Sequence, residues 1–189
     1  MNEEQSLAIF HSCGAILEGH FQLTSGLHSP RYLQCALVLQ YPHYCEQLSS
    51  SLAEALTGRD ITTVLSPALG GIIVGYEVAR KLSARFLFSE RIAGGSMALR
   101  RGFQINAGET VAVIEDVCTT GGSANEVIAL ARSAGATVTA VGALIDRSGG
   151  SLSFDVPSYS LIRLQVPSFL PEECPQCKQG GTAVKPGSR

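Results

Sequence analysis

Between residues 61 and 146 one rhythm repeats, and it limits the folds open to this chain. ITTVLS (61–66), ARFLFSE (84–90), TVAVIED (110–116) and TVTAVGALID (137–146) are apolar, β-prone runs. Helical patterns at IIVGYEVARKL (72–82) and SANEVIALARSAG (123–135) separate them. Strands that are apolar on nearly every residue are buried on both faces. Alternation with helices therefore predicts an α/β fold, a parallel sheet flanked by helices. Helical spacing also marks 4–13 and 42–57, YLQCALVL (32–39) reads as β-prone, and SYSLIRL (158–164) is a last strand candidate. Residues 91–108 are rich in Gly and Arg and show no periodicity.

The chain has 189 residues, enough for one domain with a substantial core. Its net charge of −2 argues against a nucleic-acid binder driven by overall charge. The acidic start MNEEQSLAIFHSCG does not read as a signal peptide, and no apolar run reaches the length of a membrane span. Six scattered Cys suit a reducing, cytoplasmic setting with free thiols. Basic residues are 14 in number, and only Lys81, Lys178 and Lys185 among them are lysines. The rest are Arg, which captures phosphate or carboxylate through two parallel hydrogen bonds.

The chemistry concentrates in VIEDVCTTGGSANEV (113–127). In a parallel sheet, ligands bind beyond the carboxyl ends of the strands. Thr119, Thr120, Gly121, Gly122 and Ser123 fall between such an end and a helix start, where free backbone N–H groups and the helix dipole favour a phosphate. The loop is neither a Walker A loop, which needs Lys before the last Ser or Thr, nor a Gly-x-Gly-x-x-Gly fingerprint. Taken alone it fits an ordinary capped connection. Glu115 and Asp116 beside it change that reading. Two acids at the end of a buried strand are costly unless cations or hydroxyls meet them. A sugar phosphate resolves the conflict: the loop takes the phosphate, and the acids take the ribose hydroxyls and stabilise positive charge on the ring.

IEDVCTTGGS resembles the phosphoribosyl-diphosphate motif of type I phosphoribosyltransferases. GHFQLTSGLHSPRYLQCALVL (19–39), SPALGGIIVGYEVAR (66–80), SERIAGGSMALRRGF (89–103), ALIDRSGG (143–150) and PEECPQCKQG with VKPGSR (171–189) extend the resemblance, in order, to the orotate phosphoribosyltransferases. It implies a single phosphoribosyltransferase domain: a hood and base-binding segment (1–40), an α/β core (60–146), a mobile loop (91–108) and a Cys-x-x-Cys tail (171–189). It implies transfer of ribose 5-phosphate from phosphoribosyl diphosphate to orotate in pyrimidine synthesis, with Mg²⁺ and a homodimer. No metal ligand is expected directly from the protein, because Mg²⁺ would bind mainly through substrate oxygens.

The resemblance also implies roles. Glu115, Asp116, Val117, Cys118, Thr119, Thr120, Gly121, Gly122 and Ser123 would hold the ribose 5-phosphate. Ala68, Leu69 and Gly70 would face the diphosphate with Arg91, and Arg100 and Arg101 of the hood would act on it. Thr24, Ser25, Tyr32, Thr119 and Arg147 would meet orotate, whose carboxylate suits a guanidinium. The bland alternative for Arg147 is an ion pair with Asp146 or Asp155. Other readings keep the fold as a non-catalytic sensor of phosphoribosyl diphosphate, or change the base to a purine. One departure stands out: no Lys lies between Lys81 and Lys178, so a proton-donating hood lysine has no counterpart, and Arg cannot take that part at neutral pH. Cys174 and Cys177 supply two of the four ligands a structural zinc takes. No second Cys pair is visible, so reduced thiols are the expectation, with a shared metal or a disulfide as alternatives. His28, near LTSG, is expected to be structural.

Overall fold

The computed structural model describes every residue except Thr24 and residues 187–189. The central sheet has six strands: β3 (Thr63–Pro67), β4 (Arg85–Arg91), β5 (Met97–Leu99), β6 (Thr110–Cys118), β7 (Thr137–Asp146) and β8 (Ser158–Arg163). Their spatial order is β5-β4-β3-β6-β7-β8. All neighbours are parallel except β5, which pairs antiparallel with β4 at the edge. Helices α4 (Gly71–Leu82) and α5 (Gly122–Ser133) make the crossovers. No helix of the described residues is long and apolar enough to cross a membrane.

The burial of β6 shows why its strand is apolar throughout. Successive side chains of a strand point to opposite faces. Ala112 and Ile114 join a core with Phe10, Leu48, Leu52, Val74, Val78 and Leu144. Val111 and Val113 join the other core with Leu65, Leu87, Val127, Ile128 and Val141. The first core lies under α1 (Glu3–Ser12), α3 (Pro42–Ala55) and α4, and the second under α5.

Before the sheet, β1 (Ile16–Gln22) and β2 (His28–Leu33) form an antiparallel hairpin. The tail returns to it through bridges Phe21↔Val184 and His28↔Phe169, and through Gln176 Nε2, which donates to Gly19 O at 3.0 Å. The tail carries a single turn, α6 (Pro175–Lys178).

Two expectations change. YLQCALVL is not one strand: β2 ends at Leu33, and α2 (Ala36–Leu39) follows, burying Val38 and Leu39. A short apolar run fits a buried turn of helix as well as a strand. Within 91–108, β4 and β5 make a hairpin closed by the 92–96 turn, where Ile92 N donates to Ser96 O at 3.0 Å.

Candidate active site

The connection β3–α4–β4 runs to one side of the sheet, and β6–α5–β7 runs to the other. The crevice between adjacent β3 and β6 is therefore a topological switch point, where open α/β sheets bind ligands. Pro67-Ala68-Leu69-Gly70 and the 119–123 loop both open onto it.

Glu115 and Asp116 are not at the strand's end. β6 continues to Cys118, paired with Asp146. Being consecutive in a strand, the two acids point to opposite faces. Glu115 shares its face with Val113 and accepts a hydrogen bond from Cys118 Sγ at 3.2 Å. Burial raises its pKa to about 7; the Cys118 bond and the nearby Arg91 oppose the rise, and Asp116 adds to it. Asp116 is also raised, chiefly by burial, against hydrogen bonds from backbone N–H groups of Val117 and its own residue. It turns to the α4 side. A Cβ built on Gly70 would stand 2.5 Å from both Asp116 carboxylate oxygens. Glycine alone lets the turn after β3 approach this carboxylate so closely.

At the start of α5, Gly121 has φ +77°, and a Cβ there would meet the Phe154 ring at 2.9 Å. Both facts require glycine. The helix has no side-chain cap from this residue; only Gly122 N reaches Thr120 Oγ1, at 3.4 Å. Thr119 and Thr120 are exposed, and their loop offers N–H donors to an incoming anion.

Arg147 follows β7, anchored by its N–H to Cys118 O at 2.8 Å. Both partners of the bland reading are occupied elsewhere. Asp146 Oδ1 accepts from Ser148 N at 2.8 Å and Ser148 Oγ at 2.6 Å, and Asp155 pairs with Arg132. Arg147 has no carboxylate partner among the described residues. Its half-buried guanidinium is pushed below the usual range by burial, with Tyr32 as the opposing influence. Burial raises the Tyr32 phenol, and it responds to Asp116, Arg147 and Cys35. Tyr32 thus lies near enough to Asp116 and Arg147 to feel both charges.

The hood arginines are placed differently. Arg91 makes two 3.0 Å contacts with Glu126 on α5 and also bonds Gly95 O. Arg101 pairs with Glu90 through two 2.9 Å bonds and lies over the Phe88 ring. Arg100 is exposed and makes no ion pair among the described residues. Ser25 sits in the turn between β1 and β2, and Thr24 lies outside the described residues.

Sequence reasoning missed three features. Glu126 holds Arg91, and a helical acid facing a strand-end Arg is visible only in three dimensions. The Gly70–Asp116 approach joins residues distant in sequence. The tail cysteines lie beside His20 and His28, with one ligand atom of each within 4.8 Å of the others. Their signal was the pairing of two His with a lone Cys-x-x-Cys.

Glu115 yields a pH prediction. In the unfolded chain it titrates near the ordinary 4.5, and in the fold near 7. Below 4.5 it is neutral in both states, and above 7 charged in both. Its contribution to stability is full at low pH and is lost as pH rises through 7. The carboxylate form, by contrast, appears only on the alkaline side. We expect kcat/KM for phosphoribosyl diphosphate to show an acid limb near pH 7 that Glu115→Gln abolishes. A limb unchanged in that variant assigns it to another group.

Comparison with known proteins identifies the family. The phosphoribosyl transferase domain family matches residues 40–169. The orotate phosphoribosyltransferase of Pelotomaculum thermopropionicum is 54% identical over 189 residues, spanning 100% of this chain and 99% of that protein. That of Thermotoga maritima is 54% identical over 181 residues, 96% of each. The crystal structure of orotate phosphoribosyltransferase from Aeropyrum pernix superposes with a TM-score of 0.68 at 26% identity, covering 92% of this chain and 98% of that one. With identity running end to end, the chain belongs to the orotate phosphoribosyltransferases of the phosphoribosyl transferase domain family.

Proposed function

We propose that the crevice transfers ribose 5-phosphate from phosphoribosyl diphosphate to N1 of orotate, giving orotidine 5′-phosphate and diphosphate. One observation carries the reading: an uncapped helix start, two part-buried carboxylates and a carboxylate-free Arg147 converge on one switch point. The 119–123 loop holds the 5-phosphate. Glu115 and Asp116 take the ribose hydroxyls and stabilise the positive charge that develops as the bond from C1 to diphosphate breaks. Backbone N–H groups of Ala68, Leu69 and Gly70, with Arg91, Arg100 and Arg101, receive the diphosphate. Since Arg91 and Arg101 are held by Glu126 and Glu90, exchange of these partners for substrate accompanies closure of the 91–108 segment. Arg147, Tyr32, Thr119 and Ser25 face orotate.

Mg²⁺ fits this site through oxygen. Glu115 and Asp116 offer hard donors, but the one cluster of three or more metal-ligating side chains among the described residues lies elsewhere. Mg²⁺ would be held mainly through diphosphate and ribose oxygens, with Glu115 and Asp116 as the nearby hard donors, and when bound it would supply charge neutralisation on the diphosphate. A homodimer in the cytoplasm completes the reading. Leu69, Ile73 and Tyr76, 82%, 50% and 59% exposed, form an apolar strip along the start of α4 that a second copy would cover.

Incubation with Mg²⁺, phosphoribosyl diphosphate and orotate tests the reaction, with adenine, uracil and hypoxanthine in parallel. Orotidine 5′-phosphate is the expected product. Turnover of another base alone refutes the orotate assignment, and binding without any turnover favours a sensor. For Arg147→Ala we expect KM for orotate to rise about 10- to 100-fold, the loss of one charge-assisted hydrogen-bonded pair. KM for phosphoribosyl diphosphate should barely move, and Arg147→Lys should recover only part, lacking the planar fork.

A further inference from the structure

His20 in β1, His28 at the start of β2, and Cys174 and Cys177 at the α6 turn bring four ligand atoms together, all within 4.8 Å of one another. His20 Nε2 lies 3.1 Å from His28 Nδ1, 3.3 Å from Cys174 Sγ and 3.6 Å from Cys177 Sγ. Cys177 Sγ lies 3.2 Å from His28 Nδ1. Hydrogen bonding does not account for this convergence. A neutral ring nitrogen carries one proton or one lone pair, yet His20 Nε2 faces three heteroatoms.

A metal ion does account for it. Zinc bonds of about 2.0–2.1 Å to nitrogen and about 2.3 Å to sulfur place the corners of a tetrahedron about 3.3 Å apart for two nitrogens and about 3.6 Å for nitrogen and sulfur. The distances here, 3.1 Å and 3.2–3.6 Å, are those of such corners. Cys174 and His28 are buried, and His20 and Cys177 are partly so. His20 Nδ1 is buried with no hydrogen-bond partner, and it carries the ring proton once Nε2 gives its lone pair to a metal. Two sulfurs and two nitrogens in tetrahedral array select zinc among common divalent metals.

We propose that His20 Nε2, His28 Nδ1, Cys174 Sγ and Cys177 Sγ bind one Zn²⁺ ion per chain, as a closed structural site distinct from the switch-point crevice. Four protein ligands leave no open position for chemistry. The two histidines stand at either end of the turn that holds Ser25, so the ion fixes the base of that turn to the tail. Both thiols lose their protons to bind, and no oxidant is involved.

Metal analysis of the full chain, purified under reducing conditions and reconstituted with Zn²⁺ alone, tests this. We expect close to one zinc per chain, and a Co²⁺-substituted protein with the visible absorption of a tetrahedral thiolate site. The Cys174→Ser/Cys177→Ser variant should lose both signals, while Cys13→Ser, distant from the cluster, should keep them. Stripping zinc from the unmutated protein with a chelator should lower its Tm, and Zn²⁺ should restore it. That measurement needs no variant to fold. Zinc well below stoichiometry after reconstitution, cobalt spectra of six-coordinate oxygen type, or a Cys174–Cys177 disulfide formed in preference to zinc binding would each overturn the proposal.

Discussion

Asp116→Asn is expected to lower kcat by about 10²- to 10³-fold, while KM for phosphoribosyl diphosphate changes far less. The substitution keeps size and hydrogen bonding but removes the charge. Positive charge develops on the ribose only as the bond to diphosphate breaks, so the lost interaction is strongest in the transition state. Removing one group aimed at developing charge in a dry site typically costs that factor. Steady-state kinetics with both substrates varied provides the check. A raised KM at unchanged kcat would show that Asp116 merely holds the ground state. Glu115→Gln should give a smaller loss at pH 7, because with a pKa of about 7 only about half of that carboxyl is charged there. Gly70→Ala belongs to the same test. Its methyl would displace the Asp116 carboxylate, so a similar fall in kcat is expected without any change to a charged residue.

Ile114→Ala should produce the largest loss of stability, with the site chemistry kept. Ile114 is fully buried beneath α3 and α4, and its Cδ1 would stand 2.7 Å from a Cβ built on Gly142. Little room exists for neighbours to collapse into the gap. Deleting three methyl-sized groups from such a site costs about 2–5 kcal/mol, the transfer term plus the cavity term. For a chain of this size that is roughly 5–15 °C in Tm, readable by calorimetry. Turnover at low temperature should remain near normal. A Tm within a degree or two of the parent would mean that the core repacks freely. Loss of turnover in well-folded protein would mean that Ile114 sets the position of Glu115.

What could be read from sequence followed from the range of the interactions involved. Residues 110–116 and 137–146 announced themselves because a strand buried on both faces leaves a run with few polar interruptions. The loop at 119–123 was legible because a helix start after a strand is a local event. Residues 36–39 were misread because a short apolar stretch carries no period long enough to separate helix from strand. The three residues of β5 gave no pattern at all. Tertiary proximity was harder still. Nothing local says that Gly70 approaches Asp116, that Glu126 holds Arg91, or that Asp155 prefers Arg132 to Arg147. His20 and His28 meet Cys174 and Cys177 across most of the chain, so the tail looked like half of a metal site.

Hairpin β1–β2 precedes the α/β core in sequence, but its bridging partners Phe169 and Val184 follow that core. Synthesis delivers the chain from its N-terminus. Every strand and helix of the α/β core is therefore available while the hairpin still lacks its partners. A nascent chain stalled after β8 would hold the 119–123 loop and both acids, yet its hairpin would lack the strand bridges that complete it. The crevice and the bridged hairpin are thus acquired at different moments of the protein's birth.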